Sequence, residues 1–326
     1  MAALAIPPES IILTRIGTSD VDIFPLGLGG NTFGMTTDAA ASERVLDAFV
    51  SGGGNFIDTA DSYAFWVPGN KGGESETILG DWMRRRGNRS SVVLASKVGD
   101  LPGFQGLAPS NIAAAADASL GRLRTDYIDL YYAHRDEPGR PLAEVAASFD
   151  ALVKAGKVRA IGLSNFGAER TAEWVRIARE NGFAVPVALQ PEYSLVKRRD
   201  YEQCIAPAAQ EHRLGVFPYF SLAAGFLSGK YRTAADLEGA ARGGMVAPYL
   251  NEAGLGVVRA LESVASARGA AMATVALAWL LARPTVTAPL ASATSVTQLA
   301  ELLAAPALRL TAHEIAALDE ASQPFA

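Results

Sequence analysis

Short runs of apolar and β-branched residues alternate with longer stretches whose apolar positions recur every three or four residues, from one end of the chain to the other. The short runs fit buried strands, and the three-and-four spacing fits an apolar stripe along a helix. Eight strands are predicted, at residues 23–29 (IFPLGLG), 55–58 (NFID), 92–97 (VVLASK), 127–134 (YIDLYYAH), 158–164 (VRAIGLS), 187–190 (VALQ), 215–220 (GVFPYF) and 286–291 (VTAPLA). Helical stretches such as AASERVLDAFVSG, LAEVAASFDALVKAG and TAEWVRIARENG lie between them. Gly53, Gly156 and Gly182 follow the last periodic residues, where a helix C-terminus calls for positive φ. This alternation predicts βα units around a parallel sheet, and hence an α/β (β/α)8 TIM barrel.

Other segments stand outside the repeat. IILTRIGTSDVDIF has turn residues between two extended runs and predicts a hairpin covering the barrel bottom. Residues 64 to 73 and 221 to 252 are irregular, and both follow strand C-termini, where barrel enzymes build their sites. Residues 311 to 321, opening on Thr311 with Glu314 at capping-box spacing, predict a terminal helix.

A chain of 326 residues that is 49% hydrophobic can bury a large core, and no stretch has the composition of an interdomain linker, so residues 1–326 read as one barrel domain. The net charge of −5, with no basic face, argues against nucleic acid as a partner. Arg84, Arg85 and Arg86 form the nearest basic cluster, placed to complement a helix C-terminus. Cys204 is the only cysteine, which excludes an internal disulfide and a cysteine-rich metal site and fits a reducing, cytoplasmic setting. The opening MAALAIPPES has no basic n-region and carries Pro7 and Pro8, unlike a signal peptide. The most apolar helix, residues 271 to 282, is too short to cross a membrane and is expected to be buried.

Candidate chemistry begins at NFIDTADSY, where one strand end delivers Asp58 and then Tyr63. The next strands end in Lys97 and His134. Singly, each has an ordinary reading: a lysine as a solvated strand end, an aspartate or tyrosine as a turn contact, a histidine as a structural group. Following three successive strands of a barrel, they would converge. His212 and His313 lie in helical patterns and read as surface residues. A tyrosine can protonate a developing oxyanion, but its pKa of about 10 needs a neighbouring cation to bring it toward neutrality. Lys97 would supply that cation, Asp58 would hold the ammonium, and His134 would donate a hydrogen bond to the same oxygen. The set suits carbonyl reduction or its reverse. Hydrolysis is poorly served, for there is no second carboxylate, no metal-ligand cluster and no Ser–His pair.

The motifs LGLGGNTFG, NFIDTADSY, GESETILG, LASKVG, SLGRLRTDYIDLYYAH, GKVRAIGLSN, LQPEYSL and FLSGKY, in that order, resemble those of the aldo-keto reductase superfamily. The resemblance implies a (β/α)8 barrel with an N-terminal hairpin and extra C-terminal helices, and a tetrad of Asp58, Tyr63, Lys97 and His134. It also implies NAD(P)H bound across the barrel mouth without a Rossmann domain, and no GxGxxG opens a helix after the first strand. LGLGG would let backbone approach the nicotinamide riboside, or would serve as a tight turn. By resemblance Gly30, Asn31, Thr32 and Asp58 lie on the cofactor path, Ser164, Asn165 and Gln190 hold the carboxamide, and Tyr219 stacks on the nicotinamide. Phe220, Ser221, Leu222 and Gly225, with Leu227, Gly229 and Lys230 beyond, would wrap the pyrophosphate.

Two departures stand out. Relatives often read Tyr-Ser-Pro-Leu where this chain has Tyr219, Phe220, Ser221 and Leu222. In residues 291 to 302, Ser292 replaces the usual Gly or Lys and Leu302 a frequent Asn, while Gln298 is retained. No basic residue lies between Arg283 and Arg309, so the segment that often grips the 2′-phosphate offers Ser292, Thr294, Ser295, Thr297 and Gln298. NADP(H) is expected over NAD(H), with weak discrimination, because Lys230, Arg232 or another basic side chain would have to reach over. Phe33, Phe65 and Trp66, with Tyr249, are candidates for the substrate pocket. The reading is hydride transfer between NAD(P)H and a small carbonyl or alcohol, an aldehyde, ketone or sugar-like molecule, in either direction, with the oligomeric state unconstrained. Its alternative is a nucleotide-binding sensor or accessory subunit of the same fold, and the intact tetrad favours the enzyme. A glycosidase or phosphosugar isomerase barrel would require the motif series to be accidental.

Overall fold

The computed structural model describes residues 13–326, so the expectations on MAALAIPPES and on Ile11 and Ile12 of the hairpin lie outside it. In chain order the strands are β1 (Thr14–Arg15), β2 (Asp22–Ile23), β3 (Gly27–Gly29), β4 (Phe56–Asp58), β5 (Val93–Val98), β6 (Ile128–Ala133), β7 (Val158–Ser164), β8 (Ala188–Gln190), β9 (Gly215–Val216) and β10 (Leu290–Ala291). The helices are α1 (Ala39–Ser51), α2 (Glu74–Arg86), α3 (Pro109–Leu123), α4 (Leu142–Lys154), α5 (Ala168–Asn181), α6 (Ala206–His212), α7 (Gly243–Val246), α8 (Glu252–Arg268), α9 (Met272–Leu281), α10 (Val296–Leu303) and α11 (Ala312–Ala321).

Strands β3 to β10 form one parallel sheet, ordered β10-β3-β4-β5-β6-β7-β8-β9. Its ends meet: the Thr287 N–H donates to the Val216 carbonyl at 2.9 Å, and the Leu290 N–H to that of Pro218 at 2.9 Å. The result is the α/β barrel read from the alternation, with β1 and β2 pairing antiparallel as the expected hairpin. The three predicted strands that shorten most, 23–29, 215–220 and 286–291, each contain a proline, Pro25, Pro218 or Pro289. A proline has no N–H to give a ladder, so regular pairing narrows around it.

Alternation along the strands divides the core. Ile57, Leu94, Tyr131 and Ile161 face the helices, whereas Phe56, Ala95, Leu130, Tyr132, Ala160 and Phe217 fill the barrel. Ile16, Val21 and Ile23 from the hairpin belong to the inner cluster and close its base. Side chains two residues apart share a face of a strand. Asp58 therefore follows Phe56, Lys97 follows Ala95, and His134 follows Tyr132 up the barrel interior to the C-terminal rim.

Helix ends behave as the sequence predicts. Gly53, Gly156 and Gly182 have φ of 88°, 72° and 66°, and α11 opens with a full Thr311/Glu314 capping box. The arginines ending α2 do more than complement its dipole, since Arg86 pairs with Asp47 at 2.6 Å and Arg85 with Glu43, tying α2 to α1. Helix α9 is almost wholly buried. No single helix among the described residues is long and apolar enough to span a membrane, and α8 and α9, apolar when taken together, are bent 98° apart.

Candidate active site

Asp58 ends β4 and Lys97 lies in β5, while the turn after β4 returns Tyr63 over both. The Lys97 ammonium, fully buried, donates to Asp58 Oδ1 at 2.6 Å, to the Thr59 carbonyl at 2.8 Å and to the Tyr63 hydroxyl at 2.9 Å. The Tyr63 hydroxyl stands 3.4 Å from the same Asp58 oxygen. Gln190 Nε2 donates to Asp58 Oδ2 at 2.8 Å, so both carboxylate oxygens are engaged. The His134 imidazole meets the Tyr63 ring edge-on, centroids 6.2 Å apart. The four groups thus form one cluster.

Burial, followed by the Asp58 carboxylate, pushes the Tyr63 phenol well above its ordinary range. Burial pulls the Lys97 ammonium down, against the pull of Asp58. The expectation that Lys97 would lower the phenol is reversed: Asp58 neutralises the cation and leaves burial to decide. Tyr63 rests as a protonated donor. Burial, with Lys97 and Arg135 beyond, holds His134 well below its usual range, so the imidazole is neutral, and its Nδ1, 3.9 Å from Asp100 Oδ2, makes no hydrogen bond among the described residues.

A cleft of 570 Å³ runs from Asp58 and Tyr63 between two walls. One wall is the segment after β9, with Tyr219, Phe220, Ser221, Leu222, Gly225 and Lys230. The other comes from β10 and the start of α10, with Ser292, Thr294 and Gln298, and Asn31 and Thr32 lie beneath. Ser292 donates to Asn31 Oδ1 at 2.6 Å, and Thr294 to Gln298 Oε1 at 3.0 Å. Gly30 is off the cleft, because the space a Cβ would take is held by Ser75 Oγ at 2.7 Å and Asp58 O at 3.3 Å. Its freedom serves packing within the protein.

Ser164, Asn165 and Gln190 do not line this cleft, and Asn165 and Gln190 instead edge a second cavity of 320 Å³ behind Tyr219. They form a chain: Tyr219 donates to Asn165 Oδ1 at 2.7 Å, Asn165 to Ser164 Oγ at 3.1 Å, and Ser164 to the Gln190 carbonyl at 3.1 Å. At the mouth Phe65, Trp66 and Phe220 are exposed, and Trp66 packs edge-on against Phe65 and Tyr63. Phe33, expected beside them, is fully buried in the outer core. Tyr249 stacks on Phe226.

Arg242 was not singled out by sequence. It lines the cleft, half-buried, and its guanidinium makes no ion pair or hydrogen bond among the described residues. Burial works against its charge. Arg232, by contrast, faces Glu262 at 3.1 Å. A lone cation among Ala240, Ala241, Gly243 and Gly244 was the available signal. Sequence also gave no sign of backbone strain at the rim. Ala64, Asn165, Phe220, Ala223 and Ala224 all adopt left-handed φ, from 47° to 72°. Side chains rarely accept that region unless the surroundings impose it, and such residues cluster at functional sites.

The sequence profile of the Aldo/keto reductase family matches residues 25–323. Similar proteins include the uncharacterized oxidoreductase YrpG of Bacillus subtilis (strain 168), 33% identical over 307 residues that cover 91% of each chain. Norsolorinic acid reductase B of Dothistroma septosporum is 30% identical over 328 residues, 94% of this chain and 80% of that protein. A probable voltage-gated potassium channel subunit beta of Oryza sativa subsp. japonica is 30% identical, covering 88% of both.

Proposed function

This chain belongs to the aldo/keto reductase family, and from that premise we propose that it reduces a carbonyl compound with Tyr63 as proton donor and NAD(P)H as cofactor. The contact of the Tyr63 hydroxyl with Lys97 at 2.9 Å, at the inner end of the cleft, carries this reading. A phenol that stays protonated while a fixed ammonium faces its oxygen can release its proton as a substrate oxygen gains charge, because the ammonium stabilises the phenolate left behind. Asp58 keeps that ammonium in place. Neutral His134 offers a hydrogen bond to the same oxygen without competing as the acid.

The cleft fits a dinucleotide. Neutral donors from Ser292 and Thr294 and the N-terminus of α10 suit phosphate oxygens, with Lys230 on the opposite wall. Arg242, a half-buried cation with no ion pair among the described residues, would meet the 2′-phosphate, which turns the expected weak preference for NADPH into a definite one. When bound, the reduced nicotinamide supplies the hydride. Tyr219 would flank it, held upright by Asn165, with Ser164 and Gln190 bracing that pair from behind. Exposed Phe65, Trp66 and Phe220 favour a flat or bulky apolar carbonyl over a small sugar.

A panel of aldehydes, ketones and alcohols, followed at the nicotinamide absorbance with both cofactors, tests the reading. Carbonyl-dependent NADPH oxidation is expected. Relatives named as potassium channel beta subunits favour a second reading, a nucleotide-holding accessory subunit. Tight nucleotide binding without turnover of any substrate would select it.

A further inference from the structure

One buried carboxyl stands outside the hydrogen-bonded cluster of Asp58, Tyr63 and Lys97. Asp61 lies in the turn between Asp58 and Tyr63, fully buried, with neither side-chain oxygen accepting a hydrogen bond among the described residues. Its backbone N–H donates to the Lys97 carbonyl at 3.3 Å, which fixes the turn against β5. The charges around it are otherwise matched. Asp58 pairs with Lys97 at 2.6 Å, and fully buried Glu76 accepts from Arg122 at 2.7 Å and also from Ser96. Asp100 is held by Arg135, and the Tyr131 hydroxyl from β6 makes no hydrogen bond among the described residues. Asp61 is the odd acid in this set, and an ionised carboxylate with no partner in such a place is costly.

We propose that Asp61 is a positioning residue for the proton transfer: a buried acid without a side-chain hydrogen bond among the described residues, set in the turn between Asp58 and Tyr63 and tied through its N–H to the Lys97 carbonyl, that acts on the Lys97 ammonium through its charge. This rests on the reading of Tyr63 and Lys97 given above. Burial and then Glu76 push the Asp61 carboxyl up to about 8, against Arg122 and the nearby Ser62 N–H. Lys97, pulled down by burial, is raised first by Asp58 and next by Asp61 and Glu76. A negative charge that appears on Asp61 as pH climbs therefore favours the charged form of Lys97, and the phenol keeps its cationic partner over a wider range.

The test compares wild type with Asp61→Asn in two readouts. In carbonyl reduction, the alkaline limb of kcat/KM is expected to move to lower pH, with roughly a threefold loss on that limb. In full-length protein carrying ¹³C-labelled lysine ε-carbons, the Lys97 signal, assigned with Lys97→Met, should titrate at lower pH in the Asn variant. Coincident Lys97 titrations would overturn the proposal even if turnover is normal. Absence of turnover in the wild type would instead sink the enzymatic reading and leave the titration to decide on Asp61. Thermal unfolding gives a check on the acid itself. A carboxyl raised from 3.8 to about 8 costs stability progressively as pH rises across that window. The melting temperature of Asp61→Asn should therefore gain on wild type between pH 5 and about 8, and a constant gap would show that Asp61 is already ionised.

Discussion

A phenol protected from ionisation is useful only if its proton is needed, so Tyr63 is the residue on which the reading stands or falls. Tyr63→Phe is expected to lower turnover by about 10²- to 10⁴-fold, the usual worth of general acid catalysis, while fluorescence titration still shows nucleotide binding. A variant keeping more than about a tenth of the wild-type rate would remove Tyr63 from the acid role. Lys97→Met removes the cation and strands Asp58 as a buried charge, a loss of about 3–5 kcal/mol. Lys97→Met with Asp58→Asn should recover much of that stability in denaturant unfolding but none of the activity. Arg242→Ala should cut kcat/KM for NADPH and leave that for NADH little changed, an effect weakened by salt. Equal losses with both cofactors would place Arg242 on a phosphate the two share. Aspartate, lysine and histidine at strand ends were legible because one backbone rule, alternation, aims them at one point, and Tyr63 because it follows Asp58 in the next turn. Arg242 was not, because its meaning depends on having no partner, and partners are tertiary.

At the scale of elements, periodicity located eight strands and most helices, and prolines set where strands stop. The capping box of α11 is both predicted and present, and Thr311→Ala should destabilise by about 1 kcal/mol in thermal unfolding. Loop conformation escaped prediction. Ala64, at φ 72° beside Tyr63, occupies a region that costs an ordinary residue about 1–2 kcal/mol, so Ala64→Gly should gain stability. A slower kcat in the same variant would tie that strain to the placement of the phenol. The loop that follows carries Phe65 and Trp66 into solvent. Trp66→Ala is expected to reorder kcat/KM across the carbonyl panel, and a uniform loss for every substrate would point to cofactor placement or folding.

For the whole molecule, the barrel interior is packed from the hairpin upward, and its upper layer is the candidate site. Phe217 lies against Phe56, ring centroids 5.1 Å apart, inside that stack. Phe217→Ala should cost about 3–5 kcal/mol, measurable by denaturant unfolding, with a loss of activity that follows stability. By itself the sequence determined the number and order of βα units, the caps, the hairpin and the residue types at the strand ends, because these depend on local periodicity and on the chemistry of single positions. Tertiary structure alone decided that Asp58 cancels the charge of Lys97, that Gly30 and Phe33 are spent on packing, and that Ser164, Asn165 and Gln190 brace Tyr219 from behind. It also decided that the side chains of Arg242 and Asp61 make no hydrogen bond or ion pair among the described residues. Burial and pairing of charge are sums over neighbours distant in the chain, and no local pattern carries them.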